Sequence, residues 1–253
     1  MKVLTLERHQ MILSLLKERG TVKIQEFVDE TNASESTIRR DLTELEQAKK
    51  LKRIHGGATL FQKKLDEPTV EEKTIKNSHE KRKIAELAAS FVEEGDCVFL
   101  DAGTSTVEMI PFLKDKDIVV VTNGLTNISL LIDSRIETHV VGGYVKSGTR
   151  AFVGRSAIQT IESFRFDKAF IGVNGISLHD GYTTPDPEEA FIKENAMKRS
   201  RQTYVLTDHS KFGEVSFSKF ANVEDAMIVT STLLDEEYMR DFRKKTTIEV
   251  ASL

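Results

Sequence analysis

Two groups of side chains in this 253-residue chain have types and spacings suited to chemistry. The first is Ser36-Thr37-x-Arg39-Arg40, followed by Lys49-Lys50-x-Lys52-Arg53-x-His55 and the pair Gly56-Gly57. Hydroxyls are short donors for phosphates or base edges, and a guanidinium holds guanine or a phosphate through two parallel bonds. The second is Asp101-Ala102-Gly103-Thr104-Ser105-Thr106, a polar loop after the apolar run Cys97-Val98-Phe99-Leu100. Gly103 admits a ligand close to the backbone, and three hydroxyls stand beside the free N–H groups of a helix start, where the dipole favours an anion. If Thr104 merely caps that helix, the loop carries no ligand.

The elements that must position the first group are two helices and a hairpin. Ile24, Phe27 and Val28 fall at helical spacing, which predicts a helix over Ile24 to Thr31. Asn32-Ala33 breaks it, and Ser34 is placed to cap a second helix in which Ile38, Leu42 and Leu45 recur on one face. Those three must point inward. Ser36, Thr37, Arg39 and Arg40 therefore lie outward on the N-terminal half, where a helix in a DNA major groove presents side chains to base edges. Lys52, Arg53 and His55 flank the glycine turn as a basic wing able to grip the DNA backbone or minor groove. A first helix from about Thr5 to Arg19, with Met11, Ile12, Leu15 and Leu16 inward and Gly20 closing it, completes the unit. Thr21-Val22-Lys23 is placed to pair with the wing. A solvated helix pair would show the same periodicity; the wing and the Ser-x-Ser-Thr-x-Arg-Arg face select double-stranded DNA.

Residues 61–77 are charged, contain Pro68 and read as a linker. Ser78 is placed to cap the next helix, with Ile84, Leu87, Ala88, Phe91 and Val92 buried and Gly95 closing it. Short apolar runs follow at 97–100, 118–121, 139–141, 169–173, 203–206 and 226–229, with helical patterns between most of them. That alternation predicts a doubly wound, largely parallel sheet buried on both faces, whose ligands sit at the carboxyl ends of the strands. Polar residues follow several runs: Thr122-Asn123-Gly124, Gly142-Gly143, Asn174-Gly175 and Thr207-Asp208-His209-Ser210-Lys211. Lys211 is a counter-ion for a phosphate and Asp208 an acceptor for sugar hydroxyls. Each piece alone is an ordinary turn; four at one sheet edge make a candidate site. Asp186 and Pro187 read as a helix start, so Glu189 joins the site only if it turns inward.

The pattern Leu-x-x-x-x-x-x-Ser-x-x-Thr-Ile-Arg-Arg-Asp-Leu-x-x-Leu, here from Phe27 to Leu45, with Leu-x-Arg-x-His-Gly-Gly-Ala at 51–58, resembles the signature of the DeoR family of bacterial transcriptional regulators. Phe27 and Ala33 are variants at apolar positions. Asp-x-Gly-Thr-[Ser/Thr], Thr-Asn, Gly-Gly and Asp-x-Ser-Lys-Phe at 101–105, 122–123, 142–143 and 208–212 are similar to the sensor domain of that family, so the resemblance runs nearly end to end. It implies an α/β protein: a winged helix-turn-helix DNA-binding domain at 1–60, a linker at 61–77, and at 78–253 a doubly wound sensor domain related to ribose-phosphate isomerases. The expected effector is a phosphorylated sugar, held by residues drawn from Asp101, Gly103, Thr104, Ser105, Thr106, Thr122, Asn123, Gly143, Glu189, Asp208 and Lys211. Leu-Thr-Leu-Glu-Arg-His-Gln at 4–10 and Phe-Leu-Asp-Ala-Gly-Thr at 99–104 are most similar to fructose operon repressors, which implies fructose 1-phosphate. Another sugar phosphate stays open, as does a sugar-phosphate isomerase carrying a DNA-binding head, with Asp101, Glu189 or Asp208 moving the proton.

Composition fits this picture. Net charge is −4, divided as +2 over residues 1–60 and −6 over the rest, which suits DNA contact confined to one face. One Cys allows no intrachain disulfide, and one Cys with six scattered His shows no metal spacing, so neither cofactor nor metal is expected. No apolar run approaches the roughly 20 residues of a membrane span. The start lacks the apolar segment of a secretory signal, so a cytoplasmic protein is expected. One wing and helix give few base contacts, so a homodimer or homotetramer on paired operator half-sites is expected. No catalytic residue is assigned.

Overall fold

The computed structural model describes residues 5–19, 21–48, 50–54, 56–60 and 67–253. Gly20, Lys49, His55 and the 61–66 part of the expected linker lie outside these. The chain divides into two compact units, Met1–Lys63 and Lys64–Leu253.

In the first unit α1 (Thr5–Arg19), β1 (Thr21–Lys23), α2 (Ile24–Thr31) and α3 (Glu35–Gln47) precede the hairpin β2 (Leu51–Ile54) and β3 (Gly57–Leu60). The strands form an antiparallel sheet in the order β1-β3-β2, with Lys23 opposite Gly57 and Arg53 opposite Ala58. Ile12, Leu16, Val22, Phe27, Ile38, Leu42 and Leu51 make one buried core, each worth about 1.5–3 kcal/mol of transfer free energy. Two local features set the geometry. Asn32 ends α2 in the left-handed region at φ 52°. Gly57 packs so tightly on β1 that a Cβ there would sit 2.3 Å from the Val22 carbonyl.

The second unit begins with α4 (Val70–Ile75) and α5 (Ser78–Ser90). It continues through β4 (Cys97–Leu100), α6 (Thr104–Val107), α7 (Ile110–Leu113), β5 (Val119–Thr122), α8 (Leu125–Asp133) and β6 (Glu137–Val140). After β7 (Tyr144–Val145), β8 (Phe152–Val153) and α9 (Arg155–Glu162) come β9 (Phe166–Gly172), β10 (Gly175–Ser177), β11 (Gly181–Thr184) and α10 (Pro187–Lys198). The chain then forms β12 (Ser200–Leu206), β13 (Ser218–Ala221), β14 (Met227–Ser231), α11 (Glu236–Arg243) and β15 (Ile248–Ala251). A seven-stranded sheet runs β15-β14-β12-β9-β4-β5-β6, every neighbouring pair parallel. Side chains alternate across it. Phe99, Ala169, Ile171 and Val205 enter one apolar layer. Val98, Leu100, Phe170 and Leu206 enter the other.

Two local expectations are corrected. Residues 67–77 are not simply linker: Thr69 and Glu72 form a capping box around α4, the Val70 N–H donates to the Gly148 carbonyl at 3.1 Å, and Lys73 pairs with Glu67 at 2.9 Å. Ser78 does not cap α5; the cap is Asn77 at φ 55°, its side-chain amide turned away to donate to Asp208. The strand β15 was unforeseen, as were the small sheet β10-β11-β13 and the β7-β8 pair, because these segments are only two to four residues long and tertiary neighbours decide their pairing.

Candidate functional site

On the first unit the candidate surface is the exposed side of α3 with the wing. Ser34 Oγ accepts from the Thr37 N–H at 3.3 Å and lies 3.0 Å from Ser36 Oγ and 2.8 Å from Thr37 Oγ1. Three hydroxyls thus gather at a helix N-terminus, where an anion is favoured. Arg39 donates to Glu35 one turn back at 2.6 and 2.9 Å, and Arg40 lies 3.7 Å from Glu44. Both arginine side chains are more than half exposed. Exposed pairs of this spacing contribute about 0.3–0.5 kcal/mol, so either arginine can exchange its carboxylate for a phosphate at small cost. The Arg53 guanidinium donates to Thr43 Oγ1 at 2.8 Å and its N–H to Glu46 at 2.8 Å, fastening the wing to α3. Lys52 is half-buried beside it.

Asp41, inside the Arg-Arg-Asp-Leu sequence, was given no task by sequence reasoning. It is fully buried and takes two bonds from Arg8 of α1, one of them 3.0 Å from Nη2 to Oδ1, with His9 Nε2 3.3 Å away. This carboxylate sets how α3 lies against α1. The signal was present: an acid at the i+3 position from Ile38 faces the core.

On the second unit the candidate site lies at the carboxyl ends of β4, β9 and β12. Asp101, after β4, is buried; its Oδ2 accepts from the Gly172 N–H at 2.9 Å and pairs with buried Lys193 of α10. Glu189, one turn before Lys193, does turn inward, and its Oε1 accepts from Lys146 at 2.8 Å and from Thr149 Oγ1 at 2.6 Å. Burial lowers the basicity of Lys146, but the carboxylates of Asp186 and Glu189 outweigh it and raise it above the usual lysine range. After β12, buried Asp208 accepts from Asn77 at 2.9 Å and from the Ser210 N–H at 3.0 Å. Burial alone would raise its carboxyl pKa; Lys211, Ser210 and Lys81 reverse that and hold it low. Lys211 is pushed down by burial, opposed by Asp208. Lys73 is likewise lowered by burial and acts on both sides, since it feels Glu189 and Lys211 together. Three carboxylates and five lysines therefore ring these strand ends, a lining suited to a polyhydroxylated anion.

Several expected contact residues have other duties. The fully buried Thr106 hydroxyl donates to the carbonyls of Asp101 at 2.7 Å and Gly103 at 2.9 Å. The Thr122 hydroxyl donates to the Leu100 carbonyl at 2.6 Å, and Asn123 Oδ1 accepts from the Ala102 N–H at 2.9 Å. These three hold the 101–106 loop in shape. Thr104 does not cap α6; Gly103 occupies that position without a side chain, leaving Thr104 partly exposed beside buried Ser105. Gly143 is needed for the fold, since at φ 128° a Cβ would lie 2.4 Å from the Val153 carbonyl. Sequence reasoning missed Lys73, Lys81, Lys146 and Lys193. Two were detectable: Lys193 repeats Glu189 at i+4, and Lys81 shares the inward face of Ala85 and Ala88.

Among the described residues two groups have metal-ligating atoms within 4.8 Å of one another: His9, Asp41 and Glu44, and Glu80, Asp208 and His209. Their oxygens already have protein partners. Arg8 holds Asp41, while Glu80 accepts from the His209 N–H at 2.9 Å and from Ser231 at 2.7 Å. No helix among the described residues is long and apolar enough to cross a membrane.

Residues 8–64 match the DeoR-like helix-turn-helix domain and residues 76–232 the DeoR C terminal sensor domain. The chain is 51% identical over 249 residues to the "Uncharacterized HTH-type transcriptional regulator FruR" of Bacillus subtilis (strain 168), covering 98% of this chain and 99% of that protein. It is 34% identical over 248 residues to the lactose phosphotransferase system repressor of Streptococcus mutans serotype c, covering 96% of this chain and 98% of the relative. Among solved structures, ribose 5-phosphate isomerase A of Methanocaldococcus jannaschii aligns with TM-score 0.41 and 15% identity, over 54% of this chain and 55% of the isomerase. The sorbitol operon regulator SorC of Klebsiella pneumoniae aligns with TM-score 0.44 and 12% identity, over 92% of this chain and 98% of SorC. With both of its domains matched, the chain belongs to the DeoR family of helix-turn-helix transcriptional regulators.

Proposed function

We propose that the protein represses a fructose-utilisation operon and that fructose 1-phosphate, bound at the ends of β4, β9 and β12, relieves the repression. The observation that carries the reading is the set of buried carboxylates Asp101, Glu189 and Asp208, each beside a lysine, at the ligand-binding edge of a parallel sheet. Carboxylates accept from sugar hydroxyls and ammonium groups hold phosphate. The choice of fructose rests on residues 4–10 and 99–104 and on the name of the FruR relative. Ser36, Thr37, Arg39 and Arg40 read or clamp the operator, with Lys52, Arg53 and His55 on its backbone or minor groove. A homodimer or homotetramer places two such heads on half-sites about one helical turn apart. The effector acts by binding unequally to the arrangements that do and do not match the operator. In this reading the chain binds the sugar phosphate without turning it over; one oxygen each of Asp101, Glu189 and Asp208 accepts from a protein donor, which suits a binding site.

The test is calorimetric titration of the purified chain with fructose 1-phosphate, fructose 6-phosphate, tagatose 6-phosphate and fructose, alongside operator retention in gel shifts. Arg39→Ala is expected to lose the operator and keep the sugar phosphate; Lys211→Ala is expected to keep the operator and lose the response. Loss of both functions in Arg39→Ala, or interconversion of the sugar phosphates, would overturn the assignment.

A further inference from the structure

The segment 67–77, which follows the DNA-binding unit in sequence, is fastened to the sensor unit at several points, and three of them converge on the candidate site. Glu67 lies 3.5 Å from Lys146, the lysine that also holds Glu189. The Lys73 carbonyl accepts from the Nζ of buried Lys81, and Asn77 donates to Asp208 at 2.9 Å. Two others lie apart from it: the Val70 N–H donates to the Gly148 carbonyl, and Glu71 pairs with Arg150 on the exposed side.

Between the Lys73 and Asn77 anchors stands Lys76, half-buried at the end of α4. It is close enough to Lys81, Lys211 and His209 to lower the basicity of each. Both residues bond through their backbones, Lys76 N–H to the Glu72 carbonyl and Lys211 N–H to the Asp208 carbonyl, but among the described residues neither ammonium group has a hydrogen bond or an ion pair within 4 Å. Among the described residues the Lys81 ammonium has a neutral carbonyl as its hydrogen-bond acceptor, and Lys73 has Glu67 as its counter-charge. Glu80 does not offset the remaining lysines, because it is turned to His209 and Ser231. Lys81 and Lys211 thus face Asp208 with Lys76 close to both, an excess of positive charge. A phosphomonoester carries about −1.5 to −2 at neutral pH and three acceptor oxygens, which matches that excess.

We infer that Lys76 and Lys81 join Lys211 in holding the phosphate group, so that the bound ligand bridges the 67–77 segment and the sheet edge. The inference rests on the sugar-phosphate reading above and extends it to residues outside the strand-end loops. It also gives that reading a physical route. The ligand engages the stretch of chain that leads from the DNA-binding unit, so binding changes how firmly that stretch is held. Nearby elements contribute Asp208, Glu80, His209 and Glu214 to the charge balance.

The experiment uses the full chain with fructose 1-phosphate, fructose and inorganic phosphate as probes. Lys76→Gln and Lys81→Gln should each weaken fructose 1-phosphate binding roughly ten- to hundredfold, the loss of one charge-assisted contact, while retaining operator binding. In the unmodified protein, backbone amides of residues 70–77 should exchange at least about tenfold more slowly with fructose 1-phosphate than with fructose. This measurement needs no variant, so it decides the matter even if Lys81→Gln fails to fold. Wild-type affinity in Lys76→Gln together with unchanged exchange over 70–77 would overturn the inference and leave the sugar-phosphate reading intact. Failure of the unmodified chain to bind any sugar phosphate would remove the reading itself.

Discussion

Removing Asp41 tests whether the DNA-binding unit hangs on a buried ion pair. Asp41 is wholly buried and Arg8 nearly so, and the guanidinium has Asp41 as its main counter-charge, with Thr5 a marginal acceptor at 3.5 Å. Asp41→Ala takes the main counter-charge from that buried cation, and breaking a buried pair in this way costs about 3–5 kcal/mol. A unit of some 60 residues has a total stability of only about 3–9 kcal/mol at ordinary per-residue values. The substitution therefore uses up a large part of that margin. For a domain of this size each kcal/mol moves the midpoint by roughly 4–8 °C, so the transition of the first unit should fall by about 12 °C or more. Thermal unfolding of the full chain by circular dichroism reads this directly, with operator binding by gel shift beside it and fructose 1-phosphate binding as the control that must survive. The companion Arg8→Met/Asp41→Leu replaces the pair by apolar side chains of similar bulk and should recover most of the loss, since such replacements are often neutral. A shift below about 4 °C in Asp41→Ala, or a double variant no better than the single ones combined, would refute the reasoning.

Three further outcomes are expected. Gly57→Ala forces a Cβ to within 2.3 Å of the Val22 carbonyl and should destabilise the first unit by about 1–3 kcal/mol, seen as a lower denaturant midpoint; an unchanged midpoint would mean that the wing adjusts freely. Asn123→Ala leaves the Ala102 N–H without its acceptor, which costs about 1–3 kcal/mol and loosens the 101–106 loop; sugar-phosphate affinity should fall although Asn123 is itself buried. Burial first, and then Lys211, Lys76 and Lys73 against the opposing Asp208, lower Lys81 to about 8. The folded chain then binds fewer protons than the unfolded one between about pH 8 and 10.5, so this group's share of stability rises across that window. Affinity for a phosphate dianion should instead fall above pH 8, with proton uptake on binding. Calorimetry at pH 7, 8 and 9 in two buffers checks it, and level affinity without proton uptake would show that Lys81 does not meet the ligand.

Local patterning made much of this protein legible. The spacing of Ile38, Leu42 and Leu45 implied that Arg39 and Arg40 face outward, because a helix has a single period and a buried stripe leaves its opposite face exposed. Continuous apolar runs such as Val119-Val120-Val121 announced strands covered on both faces, since a strand with one wet face would alternate. Asp101, Glu189 and Asp208 were visible as polar residues at element ends. What lay beyond reach were partnerships across long stretches of chain: Arg8 with Asp41, Lys193 with Asp101, Asn77 with Asp208, and β15 beside β14. No local period encodes these. A lysine that will be buried against a carboxylate ninety residues away looks, in sequence, like any lysine on a helix surface. Likewise the Thr106 and Thr122 hydroxyls could serve a ligand or the backbone equally well on paper, and only the packed loop decided for the backbone. The sequence by itself determined the long helices, the buried strands and which of their faces turn inward, because those depend on near neighbours. Tertiary structure decided which charges meet, because a buried charge needs its partner from wherever the fold brings one.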